Sequence, residues 1–269
     1  MAMNVDNVAM DFARKASIAP PAMRTGPNPD ALPEQHIVGP KGKKHVASVI
    51  VLHGFTCNGK MLAGELLPQL KDRLDTKQFN GIKWVFLTAP KRNVSCYEGN
   101  PSENAWHDYF SDHGGEEGRP DIEEEIDVGQ LKWSAAQVHS AIDAEAALFG
   151  GDYGRVGVIG QSQGSCTALY SVLTHKDLVA GVFCSIGQLY SHAPVPPEKK
   201  DLQFYSFNGA ADDCIACCLS LRTYSRLLEA GYKHVRMHVE PHVGHEGSTD
   251  AEADLVAEAL ESWGLLGPP

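Results

Sequence analysis

The sequence has no run of about 18 consecutive apolar residues, so it offers no candidate transmembrane helix. Its opening stretch, MAMNVDNVAMDFARKASIAPP, carries Asp6 and Asp11 and lacks the apolar core of a secretory signal, which makes the cytoplasm the expected location. Basic residues are in short supply: 23 Lys and Arg stand against 34 Asp and Glu, for a net charge of -11. They are scattered rather than gathered into a patch. A phosphate backbone therefore finds no counter-surface, and nucleic acid is not an expected partner. Cysteines are few and odd in number, seven in the whole chain, which favours reduced thiols over a disulfide framework. Cys214, Cys217 and Cys218 crowd into CIACC, but a zinc site needs four ligands and no second cysteine pair stands at a suitable spacing. No metal and no other cofactor is expected, and internal repeats are absent.

The 269 residues suffice for one large α/β domain, and a hydrophobic content of 43% with 21% charged residues suits a folded chain. Residues 1–33, ending APPAMRTGPNPDALP, have no sustained period and read as a mobile, Pro-rich arm. Residues 34–269 then read as a single domain. EQHIV, GPKGKK and HVASVIVLHG suggest a short edge strand, a hairpin turn and a buried strand. Further apolar runs begin at residues 82, 155, 178, 202 and 234, and helical patterns separate them. That alternation predicts a mostly parallel sheet with helices on both faces. Leu131, Ala135, Val138, Ile142, Ala146 and Phe149 recur at helical steps and stop at Gly150-Gly151. Thr249 and Glu252 are spaced as a capping box for a last helix. The stretch at about 91–121 shows no clear period and reads as a lid-like or binding loop.

The most informative segment is RVGVIGQSQGSCTALY. Gly160-Gln161-Ser162-Gln163-Gly164 fits G-x-S-x-G at the junction of a strand and a helix, the setting of a nucleophile elbow. A serine hydroxyl is a poor nucleophile at neutral pH, so it needs a base, an acid to orient that base, and donors for the oxyanion formed on attack. In such an architecture acid and base follow the nucleophile, each after a later strand. NGAADD, after LQFYSF, exposes Asp212 and Asp213, either of which suits the acid. HVGHEG, after HVRMHVEP, offers His245, with His242 in reserve. The amide of Gln163, at a helix N-terminus, supplies one oxyanion donor, and the amide of Phe55, in the loop of VIVLHGFTCNGK, supplies the second.

LHGFTCNGK, TAPKRNVS, AWHDYF, IGQSQGSCTALYSVL, NGAADDCI and VGHEG resemble, in order and spacing, the phospholipase/carboxylesterase branch of the α/β-hydrolases, which includes acyl-protein thioesterases. The likeness spans roughly residues 45–265 and implies an α/β-hydrolase fold. It selects Asp212, three residues after a glycine, as the acid, and His245, after a small residue and before the last helix, as the base. It also aligns Trp106, His107 and Asp108 with a Trp-aromatic-Asp loop, in which His107 replaces the aromatic. Gly164-Ser165 departs from the family's Gly-Gly, and Asp213-Cys214-Ile215-Ala216 departs from its Pro-containing turn.

The expectation is a serine hydrolase of carboxylic esters or thioesters, using Ser162, His245 and Asp212 with the Phe55 and Gln163 amides. By the same resemblance the substrate is a small-molecule or lipid ester or thioester, or an acylated protein. Trp106, Tyr109 and Phe110 would form part of an apolar acyl site, although ordinary core positions suit these aromatics equally well. Two other readings stay open: a ligand-binding module with little turnover, and another triad chemistry such as lactone opening or a lyase.

Overall fold

The computed structural model describes residues 33–41, 44–246 and 249–267. Apart from residue 33, the expected N-terminal arm lies outside the described residues.

Among the described residues seven strands form the central sheet: β1 (Glu34–Val38), β2 (Ala47–Leu52), β3 (Ile82–Thr88), β6 (Val156–Gln161), β7 (Gly181–Ser185), β8 (Gln203–Gly209) and β9 (His234–Glu240). Their spatial order is β1-β3-β2-β6-β7-β8-β9, and every pairing except β1 with β3 is parallel. Two further described strands, β4 (Lys91–Asn93) and β5 (Ser102–Asn104), pair antiparallel in a small separate ribbon.

The expected hairpin between β1 and β2 does not form. Both hydrogen-bonding edges of β2 are taken by parallel partners, β3 and β6, so β1 adds to the outside of β3 instead, from Glu34 opposite Thr88 to Val38 opposite Trp84.

Strand β2, ASVIVL, is buried throughout and shows why the sheet is covered twice. Successive side chains on a strand point to opposite faces. Ile50 and Leu52 join one core with Leu131, Val138 and Ile142 of α3 (Val128–Ala147) and Leu169 and Val172 of α4 (Gln163–Thr174). Val49 and Val51 join the other, with Leu62, Leu66 and Leu70 of α1 (Gly59–Arg73), Phe79 of the short α2 (Thr76–Gly81), and Val256, Ala259 and Leu260 of α6 (Asp250–Ser262). Leu227 of α5 (Cys217–Glu229) packs with the α3–α4 side.

Local chemistry starts the helices where the sheet needs them. Asn58, Asp127 and Thr249 each accept a first-turn amide, those of Met61, Gln130 and Glu252, and so satisfy donors that have no partner within the helix. Among the described residues no helix is long and apolar enough to cross a membrane.

Parallel strands joined by crossover helices bring their C-terminal ends to one side. The loops leaving β2, β6, β7, β8 and β9 carry Phe55, Ser162, Ile186, Asp212 and His245, and the ligand crevice of an open α/β sheet falls at that edge.

Candidate active site

Ser162 lies between the end of β6 and the first turn of α4, with φ +52° and ψ -121°. This left-handed backbone is strained for a residue with a side chain, and close packing imposes it. A Cβ on Gly160 would stand 2.4 Å from the Gly164 carbonyl oxygen, and one on Gly164 would stand 2.4 Å from the carbonyl oxygens of Leu52 and His53. Strand and helix therefore meet at a separation that only hydrogen can fill. Ser165, where the family pattern has glycine, fastens the turn with its hydroxyl placed 2.6 Å from the Gly160 carbonyl and 2.7 Å from that of Ser185.

His245 Nε2 stands 2.8 Å from Ser162 Oγ, and His245 Nδ1 stands 3.0 and 2.9 Å from the two oxygens of Asp212. Asp212 is 7% exposed, and its Oδ1 also accepts the amides of Cys214 and Ile215 at 2.9 and 2.8 Å. Those bonds fix the carboxylate in one orientation. Asp213, its alternative in the sequence, is exposed. His242, the reserve histidine, sits exposed in the turn after β9 with φ +65°. The expected trio of side chains is thus brought together in hydrogen-bonding order.

The neighbouring loop is built on His53. Its Nε2 accepts the Ala89 amide at 2.9 Å, which leaves the proton on Nδ1 to be donated to the Gly54 carbonyl at 2.6 Å. Burial lowers the His53 pKa to about 4, so the ring is neutral. Trp106 Nε1 donates to the His53 carbonyl at 2.8 Å. Gly54 and Phe55 then border the same cavity as Ser162, and the Gln163 amide opens α4 at its N-terminus.

The Gln163 side chain is a connection that the motif alone did not reveal. Fully buried, it accepts the Trp106 amide at 2.8 Å and donates to the His107 carbonyl at 2.9 Å. The elbow and the Trp106–His107 segment are therefore one hydrogen-bonded unit. The sequence signal was present in the pairing of a non-glycine elbow position with a Trp-x-Asp loop, but nothing in either string showed that they touch.

In front of Ser162 and His245 lies a cavity of about 350 Å³. Phe55, Tyr97, Tyr109 and Tyr190 give it aromatic walls, Ile122, Ile186, Ile215 and Leu219 give it aliphatic ones, and Asp112 and Glu124 are acidic members of the lining. Phe55 stacks on Tyr97 with ring centres 5.9 Å apart and meets Tyr109 edge-on at 5.8 Å.

Of the three aromatics expected around an acyl site, only Tyr109 borders the cavity. Trp106 is 1% exposed and belongs to the core, where its indole holds the His53 loop. Phe110 is 45% exposed and lies outside the lining, because side chains alternate about the local bridge that joins Tyr109 to Ile126. His107 is fully buried beneath this wall, its Nε2 2.7 Å from the Tyr190 hydroxyl. Burial, with smaller repulsions from Arg92 and His192, lowers its pKa to about 3.

Ile186 belongs to the site without any sequence motif to mark it. It follows β7 with φ +45°, a conformation disfavoured for a β-branched residue, and it borders the cavity. Gly187 is the clue the sequence held: its Cβ would lie 2.3 Å from that of Ser165, so this turn must press against the elbow. All seven cysteines are unpaired in the structure.

A mostly parallel sheet, helices on both faces and a serine-bearing turn after the central β6 define an α/β-hydrolase fold. The chain matches the sequence model of the phospholipase/carboxylesterase family over residues 33–261 and belongs to that family. Among solved structures it is similar to SOBER1 of Arabidopsis thaliana, with a TM-score of 0.69 and 22% identity over 81% of this chain and 98% of that one. It is also similar to acyl-protein thioesterase 2 of Zea mays, with a TM-score of 0.67 and 25% identity over 86% of this chain and 99% of the maize chain. The Bacillus cereus carboxylesterase gives a TM-score of 0.62 and 17% identity over 87% and 96%. No curated protein matches the chain by sequence.

Proposed function

We propose that the protein is a serine hydrolase that cleaves carboxylic esters or thioesters through an acyl-enzyme intermediate. The observation that carries this reading is the continuous hydrogen-bonded line from Ser162 Oγ through the His245 ring to the Asp212 carboxylate. A binding site alone has no use for a hydroxyl, an imidazole and a buried carboxylate in that order.

In the proposed mechanism Ser162 Oγ attacks the carbonyl carbon as its proton passes to His245 Nε2. Asp212 keeps the other ring proton on Nδ1 and stabilises the imidazolium that forms. The amides of Phe55 and Gln163 receive the negative oxygen of the tetrahedral intermediate, aided by the N-terminus of α4. His245 returns its proton to the departing alcohol or thiol. Water, deprotonated by the same ring, then releases the acyl group from Ser162 and restores the starting state.

The cavity volume lies near the lower end of the roughly 300–1,000 Å³ common for small-molecule sites, and most of its wall is apolar. This supports acyl groups of middle length held against Phe55, Tyr109 and Tyr190, on either a small ester or an acylated protein. A series of p-nitrophenyl esters and matching thioesters, from two-carbon to long acyl groups, tests the reading. Values of kcat/KM should peak in the middle of the series. Hydrolysis of none of them, by a folded protein, would favour a binding module or a different triad chemistry.

A further inference from the structure

The crowding of cysteines after the acid is not used by the proposed hydrolysis, yet one of them stands within reach of the triad. Ligand-capable atoms of Asp212, Cys214 and His245 all lie within 4.8 Å of one another. Cys214 Sγ is also 3.9 Å from an oxygen of Asp213. Cys214 is exposed and borders the cavity, so an ion from solvent reaches it without unfolding. The described lining contains Asp112 and Glu124 and neither Lys nor Arg, so the potential there draws cations inward.

We propose that this cluster binds a thiophilic divalent cation of the zinc type and that the bound ion switches the hydrolase off. The inference rests on the serine-hydrolase reading above, and it concerns the regulation of that site. A thiolate, an imidazole and carboxylates form a mixed donor set that suits zinc, whereas magnesium and calcium prefer oxygen alone. Zinc bonds of about 2.0–2.3 Å place neighbouring ligands roughly 3.5 Å apart, so exposed Cys214 turns inward, the Asp212–His245 contact opens by roughly half an ångström, and water takes the fourth position.

On binding, the Cys214 thiol releases its proton to water and the sulfur donates an electron pair to the metal; nothing is oxidised or reduced. The ion also takes a lone pair of the His245 ring. The site lies on the Asp212 side of the ring, so the ion binds Nδ1. The proton that Asp212 holds there moves by way of solvent to Nε2, and the ring stays neutral. Nε2 then carries a proton and cannot accept the one from Ser162, so the same coordination that seats the ion removes the general base and stops acylation.

The test uses the full-length protein stripped with a chelator, each variant being compared with its own metal-free rate on a p-nitrophenyl ester. Zinc should inhibit the wild type, magnesium at equal concentration should not, and Cys214→Ser should need at least about ten-fold more zinc for half-inhibition. Cobalt(II) supplies a readout independent of turnover. Its thiolate charge-transfer band should appear with the wild type and with Cys217→Ser and Cys218→Ser, and be lost in Cys214→Ser. Equal zinc sensitivity of wild type and Cys214→Ser, equal inhibition by magnesium, or a cobalt band that survives Cys214→Ser would overturn the proposal. Absence of ester hydrolysis in the metal-free wild type would instead count against the hydrolase reading, and the cobalt band would still report on the metal site.

Discussion

Asp212 faces His245 with both carboxylate oxygens, 2.9 and 3.0 Å from Nδ1, while the amides of Cys214 and Ile215 hold one of those oxygens from behind. The carboxylate cannot turn away from the ring without giving up two backbone hydrogen bonds. Asp212→Asn places an amide against Nδ1 and favours the wrong tautomer. Turnover should fall by roughly 10³- to 10⁴-fold with KM little changed, while Asp213→Asn stays near wild type. Steady-state kinetics of both variants decide the assignment, and a larger loss in Asp213→Asn would reverse it.

Gln163 should matter through its side chain as well as its amide. Gln163→Ala keeps the amide but leaves the Trp106 amide and the His107 carbonyl without their partner. Losing these buried hydrogen bonds should cost about 1–3 kcal/mol in urea unfolding. It should also lower kcat more than it raises KM, because the Gly54–Phe55 loop, the proposed source of one oxyanion donor, is fastened through Trp106 to His53.

Gly160→Ala tests the packing that strains Ser162. The added methyl meets the Gly164 carbonyl oxygen at 2.4 Å and the Ser165 Cα at 2.6 Å, backbone atoms that cannot swing aside. The variant should lose solubility, or fold with little residual activity. Gly231→Ala is a contrasting case: its Cβ has open space but its φ is +83°, so it should cost only about 1 kcal/mol from backbone strain and leave activity intact.

Much of this arrangement could be read from the residues, and the limits follow from physics. Parallel strands buried on both faces are continuous apolar runs, so β2, β3, β6, β7 and β8 stood out by composition. The elbow is local and steric, so Gly160, Ser162 and Gly164 were sufficient. Strand order is not local: nothing within EQHIV shows that β2 already has two partners, so the sequence suggests a β1–β2 hairpin where β1 pairs with β3. The 91–121 stretch contains β4 and β5 and has no extended period, so sequence could not tell that Tyr109 faces the cavity while Trp106 enters the core and Phe110 faces water. Ile186 defeated propensity outright, since a β-branched residue at positive φ is held by its surroundings.

Stability should fall in mild acid because two histidines are buried neutral. His53 titrates at about 4 and His107 at about 3 in the fold, against 6.5 for an unperturbed imidazole. Below 6.5 the unfolded chain binds protons that the folded protein refuses. Their contribution is therefore complete above pH 6.5 and is lost progressively as the pH drops toward the folded values. The His53 shift alone corresponds to an order of 3 kcal/mol when fully expressed. Urea unfolding from pH 7 to about 4.5 should show a steep decline, and His107→Phe should make it shallower. A flat profile would contradict neutral burial of these rings.

The central claim, that Ser162 is an activated nucleophile, is tested most directly by intact-mass analysis after exposure to a fluorophosphonate, with Ser162→Ala alongside. The account predicts a single adduct on the wild type and none on the variant. An unlabelled but folded wild type, or labelling that persists in Ser162→Ala, would contradict it.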